Sequence, residues 1–165
     1  MVGSLGLFRG LGVLGRHVRA LEGYWIVLVR VSIGVFFCIT GATKLFDTGA
    51  RNEMVQTLVA SGIPFPELNA LAISTIEFAG GGLLVLGLLT PVCAILLGGD
   101  MLVAIATDRI KSVHGDTFFA WLDNFLYLPE VLYALILGWI LIAGPGKWSL
   151  DGLLFAHETD TEPNP

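Results

Sequence analysis

The sequence has few charged residues, few cysteines and no run of basic residues, and each shortage excludes a class of protein. Charged side chains make up 14% of the 165 residues and hydrophobic ones 55%, which is wrong for a soluble globular domain. Cys38 and Cys93 form no C-x-x-C pair, which excludes a thioredoxin-like centre and a cysteine zinc site. The formal charge of −5, without a basic run, gives no indication of nucleic-acid binding. This composition predicts a protein whose solvent is the lipid bilayer.

Histidine is also scarce, and none of the three lies in an apolar run. His17, His114 and His157 fall in polar stretches, so no membrane-embedded pair exists to ligate haem b. The sequence likewise contains no nucleotide-binding loop, no nucleophile motif and no metal-ligand cluster. We therefore expect no haem, flavin or metal, and no electron carrier within the chain.

Four long apolar runs dominate what is present. They cover about residues 24–46, 68–89, 91–109 and 125–143. A run of about 20 residues, at about 1.5 Å per residue, crosses a hydrocarbon core of about 30 Å. The sequence therefore predicts an all-α membrane protein, a bundle of four transmembrane helices within a single domain, 24–152.

Two segments flank this domain. In residues 1–23 leucine and valine recur every three or four positions opposite arginine, which predicts a short amphipathic helix lying in the membrane interface. Residues 153–165 are polar and acidic, which predicts a disordered tail. Between the first two runs, residues 50–61 are expected to form a short helix over the mouth of the bundle.

Four spans place both termini on one side of the membrane, which we expect to be a prokaryotic inner membrane. The basic residues do not decide the orientation, because four flank the membrane on each side. Three of them precede the first span, which often dominates orientation, so cytoplasmic termini are favoured.

The first span carries two cations and two glycines on one face. At helical spacing Arg30, Gly34, Gly41 and Lys44 form a stripe, and such charges normally turn into the bundle. Small residues permit close approach of helices, and three more glycines follow Glu77 in the second span. We expect all five to be close-packing positions: Gly34, Gly41, Gly80, Gly81 and Gly82.

Counting residues from the helix ends indicates which charges share a depth. Arg30 lies roughly 9 Å from the terminal side, Asp100 roughly 14 Å and Glu77 roughly 18 Å. We expect these three to form one buried cluster in which two acids share one base and a proton. A second, wetter network is expected near the opposite helix ends, from Lys44, Asp108, Arg109 and Glu130.

The buried charges have three interpretations. They fix helix register, as buried ion pairs often do, or form a protonatable site for a quinone headgroup or proton relay. The third interpretation, a solute pathway, is disfavoured because four helices without internal repeats give little room for alternating access.

Five motifs in order resemble the DoxX family over about residues 24–152. They are R-x3-G-x6-G-x2-K at 30–44, E-x-x-G-G-x-L-L-x-L-G-L-L-T-P at 77–91, M-L-V-A-I at 101–105, Glu130, and G-P-G-K-W-S-L-D at 144–151. The resemblance carries Arg30, Lys44, Glu77, Glu130 and Asp151 over as the family's polar pattern, whereas Asp100 departs from it.

The resemblance implies a four-helix membrane protein but says less about its activity. Members of that family include a quinone-linked membrane subunit and a membrane protein that associates with a superoxide dismutase and a sulfurtransferase. The implied function is a membrane redox accessory, at most a subunit of an oxidoreductase, with a quinone as the candidate cofactor and other membrane or membrane-associated proteins as partners. The alternative is a non-catalytic structural or assembly subunit of a larger membrane complex.

Overall fold

The computed structural model describes the backbone of residues 3–156 and the side chains of residues 23–154, and the described part is helical without strands. Seven α-helices follow one another: α1 Gly3–Phe46, α2 Thr48–Ala60, α3 Pro66–Leu86, α4 Thr90–Thr107, α5 Phe118–Leu126, α6 Pro129–Ala143 and α7 Leu150–Ala156. A single 3-10 turn, Arg109–Ser112, follows α4.

Among the described residues, three helices are long and apolar enough to cross a membrane, and a bent pair supplies a fourth crossing if it is counted as one span. The three are Gly23–Phe46 within α1, α3 and α4. The pair is α5 and α6, which meet at 66°. The prediction of an all-α membrane bundle is confirmed, with the predicted spans 68–89 and 91–109 corresponding to α3 and α4.

The fourth predicted span, 125–143, differs from the structure at its beginning. Leu128, the residue before Pro129, is extended, with φ −66° and ψ 125°, and α6 starts at the proline. A residue before proline avoids the helical region because the proline ring crowds its backbone, so α5 ends before this point. With 15 residues, α6 alone is about 22 Å long, shorter than the hydrocarbon core.

The two flanking segments also differ from expectation. The predicted N-terminal interfacial helix is not a separate element, because α1 runs without a break from Gly3 to Phe46. The side chains of residues 1–22, including that of His17, lie outside the described part of the chain. The predicted interfacial placement of this segment therefore stays a prediction. The predicted disordered tail begins inside α7, and residues 157–165, including His157, lie outside the described residues.

α1 and α3 make the most extensive contact in the bundle, and glycine is the reason. A Cβ on Gly34 would lie 2.8 Å from the Gly81 carbonyl oxygen and 2.8 Å from the Val85 nitrogen. A Cβ on Gly41 would lie 2.8 Å from the Ser74 carbonyl oxygen. The two backbones therefore touch along an antiparallel seam, as small residues allow in membranes.

The remaining two glycines of the predicted set do not lie on this seam. Gly80 faces α4, where a Cβ would meet the Leu97 side chain at an ordinary 3.5 Å. Gly82 has nothing within 4 Å of its Cβ position, so it is not a close-packing position and that part of the prediction is wrong.

The apolar core lies between α1, α3, α4 and α6. Phe37, Leu84, Leu97, Leu137 and Ile140 are fully buried there. α4 packs mainly on α6, and short turns join α3 to α4. The core divides the bundle into two ends: one contains Lys44 and the starts of α3 and α6, and the other contains Arg30 and the start of α4.

Candidate functional site

The end of the bundle that contains Lys44 holds a cleft of about 480 Å³. This size lies within the range of about 300 to 1,000 Å³ that is typical of small-molecule sites. Its walls are mainly apolar, with hydroxyl groups from Thr40, Thr43, Thr57, Ser61 and Thr107. Its charged lining residues are Lys44, Glu53, Glu77, Asp100, Asp108, Arg109 and Glu130.

A Lys44–Glu77 ion pair lies in the wall of this cleft. Lys44 Nζ donates to both carboxylate oxygens of Glu77, at 2.7 Å and 2.6 Å. The Glu77 side chain is 3% exposed and that of Lys44 is 28% exposed. Helical side chains lean toward the N-terminus, so Lys44 points back into the bundle from the last turn of α1. An ammonium group has three N–H donors, and these two bonds leave the third unused.

Asp100 reaches the same cleft from α4. It is partly buried, and its carboxyl group lies within interaction range of Glu77 and of Lys44. The predicted neighbours Glu77 and Asp100 are therefore brought together, with Lys44 in place of Arg30. Two carboxyl groups from different helices therefore line the cleft together with one ammonium group, which is bonded to Glu77.

Arg109 and Glu130 join α4 to α6 at the mouth of the cleft. Arg109 Nε lies 2.7 Å from Glu130 Oε1 in an ion pair, and Nη1 lies 3.6 Å from Asp108 Oδ2. Glu130 is in the first turn of α6, where the helix dipole favours a negative charge. Its other oxygen, Oε2, is buried without a hydrogen bond among the described residues. The second predicted network therefore shares one cleft with Glu77 and Asp100.

α2 forms the outer wall of the cleft, and the expected short helix at residues 50–61 lies there. Asp47 caps its N-terminus by accepting from the Gly49 amide at 2.7 Å. Arg51 Nε donates to the Lys44 carbonyl at 3.3 Å, which ties α2 to the end of α1. Met54 and Thr57 face the cavity. The sequence analysis did not identify these lining residues, because the apolar residues of this segment indicated only that it covers the bundle.

Arg30 does not take part in this site, and its predicted cluster with Glu77 and Asp100 is wrong. It is 1% exposed at the opposite end, where Nη1 donates to the carbonyls of Leu84 at 3.0 Å and Val85 at 3.3 Å. Nη2 donates to the Trp148 carbonyl at 3.1 Å. Because its side chain leans toward the N-terminus of α1, it extends away from Glu77 and toward the chain end.

Asp151, in the first turn of α7, completes the Arg30 end. Its carboxylate accepts from the amides of Leu89 at 2.7 Å and Thr90 at 2.8 Å, and so caps α4. Its own amide donates to the Gly87 carbonyl at 2.9 Å. Burial alone would raise the pKa of Asp151, but the two amide hydrogen bonds and the nearby Arg30 guanidinium together lower it below its ordinary value.

The two ends therefore differ in what they offer a ligand. At the Arg30 end, Arg30 and Asp151 are bonded to main-chain groups, while Arg30 Nε and Thr90 Oγ1 are buried without a hydrogen bond among the described residues. The cleft offers the partly exposed ammonium group of Lys44 and the carboxyl groups of Glu77 and Asp100. No cluster of three or more metal-ligating side chains occurs among the described residues. This arrangement suits an uncharged, partly apolar ligand with hydrogen-bonding oxygens.

One known protein is similar to this chain along most of its length. The uncharacterized membrane protein Rv3486 of Mycobacterium tuberculosis is 28% identical over 141 residues, which cover 81% of this chain and 83% of the relative. No solved structure matches the chain.

The family model for DoxX matches residues 25–109, just over half of the chain. The matched region contains α3, α4 and the membrane-crossing part of α1, together with Arg30, Lys44 and Glu77. These helices form both the glycine seam and the inner wall of the cleft. The protein is therefore an integral membrane protein of the DoxX family.

Proposed function

We propose that this protein is a membrane redox accessory whose cleft binds the headgroup of a quinone. The observation that carries this proposal is a ligand-sized, mainly apolar cavity with a polar inner wall formed by Lys44, Glu77 and Asp100. The apolar walls suit the ring of a quinone, and the polar wall suits its oxygens.

The chemistry of a quinone matches the groups in that wall. Reduction to the hydroquinone takes two electrons and two protons, one proton for each oxygen. The third N–H of Lys44 is the donor for one quinone oxygen, since the other two are bonded to Glu77. The Glu77 and Asp100 pair supplies or accepts protons by general acid–base exchange.

The electrons come from a partner, since we expect no electron carrier within this chain. The redox accessory therefore couples a soluble or membrane-associated oxidoreductase to the quinone pool, or anchors one at the membrane. We place it in a prokaryotic inner membrane with both termini in the cytoplasm. This orientation can be tested by fusing to the C-terminus a reporter enzyme that is active only outside the cytoplasm. We expect no reporter activity, and an active reporter would show that the termini lie on the opposite side of the membrane.

A second candidate function is supported by the Arg30 end. There a buried guanidinium and a buried carboxylate are bonded to the backbone of α3, α4 and the segment before α7. Such a network fixes the positions of helices without offering a site. This network alone would be sufficient for the second candidate function, a non-catalytic structural or assembly subunit of a larger membrane complex.

Quinone binding to the purified full-length protein in lipid nanodiscs tests the proposal. Glu77→Gln and Lys44→Gln should each weaken binding of a short-chain quinone about tenfold or more, because each alters a bond in the polar wall. Glu67→Gln is the matched control: it makes the same chemical change in α3, at an exposed position outside the cleft. Thermal unfolding verifies that each variant is folded.

Two outcomes would contradict the redox proposal. One is wild-type protein that does not bind quinone in the nanodisc. The other is binding that Glu77→Gln and Lys44→Gln leave unchanged. Native mass spectrometry of the protein from its own membrane that finds stable protein partners and no quinone would support the structural subunit.

A further inference from the structure

The charges that line the cleft do not balance. Five are acidic and two are basic, Lys44 and Arg109. Each basic residue is bonded to one acid, Lys44 to Glu77 and Arg109 to Glu130. Three acids remain. Of these Glu53 is exposed and Asp108 lies beside Arg109, so Asp100 is the acid inside the bundle that has no cation of its own.

Asp100 is surrounded by charged groups from every helix that forms the cleft. Its closest titratable neighbours are Glu77 on α3 and Lys44 on α1. The cleft adds further groups from α2, from the end of α4 and the turn after it, and from α6, namely Glu53, Asp108, Arg109 and Glu130. The bond from Lys44 to both Glu77 oxygens assigns the nearest positive charge to Glu77 and not to Asp100.

A second ionised carboxylate at this position is unfavourable for two reasons. It would be partly withdrawn from water, and the Glu77 carboxylate lines the same cleft. Both burial and a like charge favour the protonated form of a carboxylic acid. Lys44, Glu77 and Asp100 together form a coupled system, which reaches neutrality by holding one proton.

We propose that Asp100 carries a proton at neutral pH and exchanges it through the cleft, which makes the cleft a proton-binding site. Its position supports this role, because Asp100 lies in α4 between apolar turns, where an ionisable residue is costly without a function. The exposed residues Glu53 and Thr57 at the mouth mark where the cleft reaches the surface, and so the route of exchange with water.

The proton on Asp100 also defines what the site donates. The acid would give its O–H hydrogen to a ligand oxygen, and the resulting carboxylate would recover a proton through the mouth of the cleft. That ligand step rests on the proposed function, with a quinone as the proton acceptor and a partner oxidoreductase as the electron donor. The proton itself does not depend on a quinone.

Infrared spectroscopy of the full-length protein in lipid membranes, without added quinone, tests the proposal. A protonated carboxyl group has a carbonyl stretch that carboxylates lack and that shifts in D2O. We expect this band in the wild type at neutral pH and its loss in Asp100→Asn, whereas Glu67→Gln, an exposed control, retains it.

The wild type alone provides an independent measurement if Asp100→Asn does not fold. Its band should disappear reversibly as the pH is raised. A wild type without the band at neutral pH, a band that does not respond to pH, or a folded Asp100→Asn protein that keeps the full band would overturn the proposal. Loss of quinone binding with the band retained would contradict only the proposed function, so the two failures are distinguishable.

Discussion

The two ends of the bundle each hold a basic and an acidic residue from different helices, but they satisfy these charges differently. At the Arg30 end, Arg30 donates to main-chain carbonyls and Asp151 accepts from main-chain amides. At the cleft end, Lys44 and Glu77 are bonded to each other through their side chains. Main-chain partners are fixed by the fold, whereas side-chain partners can exchange for a ligand.

This difference separates a structural charge from a functional one better than burial does. Arg30 and Glu77 are almost equally buried, at 1% and 2% exposed. The Arg30 side chain fills its space so closely that a Cβ on Gly87 would collide with the guanidinium. Glu77 instead borders a cavity of about 480 Å³. We infer that the Arg30 end holds the helices in place, whereas the cleft end has room for the ligand proposed above.

The largest effect is expected from removing Arg30. Arg30→Gln should lower the free energy of unfolding by about 3 kcal/mol, because a shorter amide cannot reach both the end of α3 and the Trp148 carbonyl, and buried acceptors lose their donor. Lys44→Gln should cost less than half of this, since Glu77 can take up a proton and faces the cleft. Denaturant titration in mixed micelles measures both.

The same pair of variants has a second readout. Folded Arg30→Gln protein should bind quinone with the wild-type affinity, whereas Lys44→Gln should not. Equal stability losses in the two variants, or a binding loss in both, would mean that the two ends do not have separate roles.

A smaller effect is expected from Gly87, which lies beneath Arg30. Gly87 has φ +67°, and a Cβ there would meet both the Arg30 guanidinium and Ser149. Gly87→Ala should therefore lower the free energy of unfolding by about 1–3 kcal/mol. The matched control is Gly82→Ala, in the helical part of α3 with open space around its Cβ position. It should be neutral or stabilising by about 0.5–1 kcal/mol.

Thermal unfolding of both glycine variants in the same detergent measures the difference. A Gly87→Ala protein as stable as Gly82→Ala would contradict the close packing at the Arg30 end.

The helices were predicted from the sequence more accurately than the breaks between them. Long apolar runs specify spans because the bilayer demands about 20 such residues, and the predicted 91–109 lies close to the observed Thr90–Thr107. The break before Pro129 was missed, because proline is compatible with a first helical turn and the run across it stays apolar. The effect of proline on the preceding residue, Leu128, was the available signal.

The site was predicted residue by residue but grouped wrongly. Counting along helices gives depth, yet it does not give the direction in which a side chain leans. Arg30 and Lys44 both lean toward the N-terminus of α1, which carries Arg30 out to the chain end and Lys44 into the bundle. This signal was present in the sequence. The path of 144–151 across the end of the bundle was not, since it depends on contacts far apart in the chain.

The smallest effect we predict is a pH dependence confined to the Arg30 end. Because the folded state lowers the pKa of Asp151, ionised Asp151 stabilises the fold above the unfolded pKa of about 3.9, and this contribution is lost as the pH falls through the lower folded value. Denaturation midpoints measured from neutral pH down to about pH 3 should therefore decrease more steeply in the wild type than in Asp151→Asn. Asp116→Asn, in the exposed loop after α4, should keep the wild-type slope. An equally steep decrease in Asp151→Asn would assign the acid sensitivity to other carboxylates, and the Arg30 end would then owe its stability to packing and not to the ionised cap on α4.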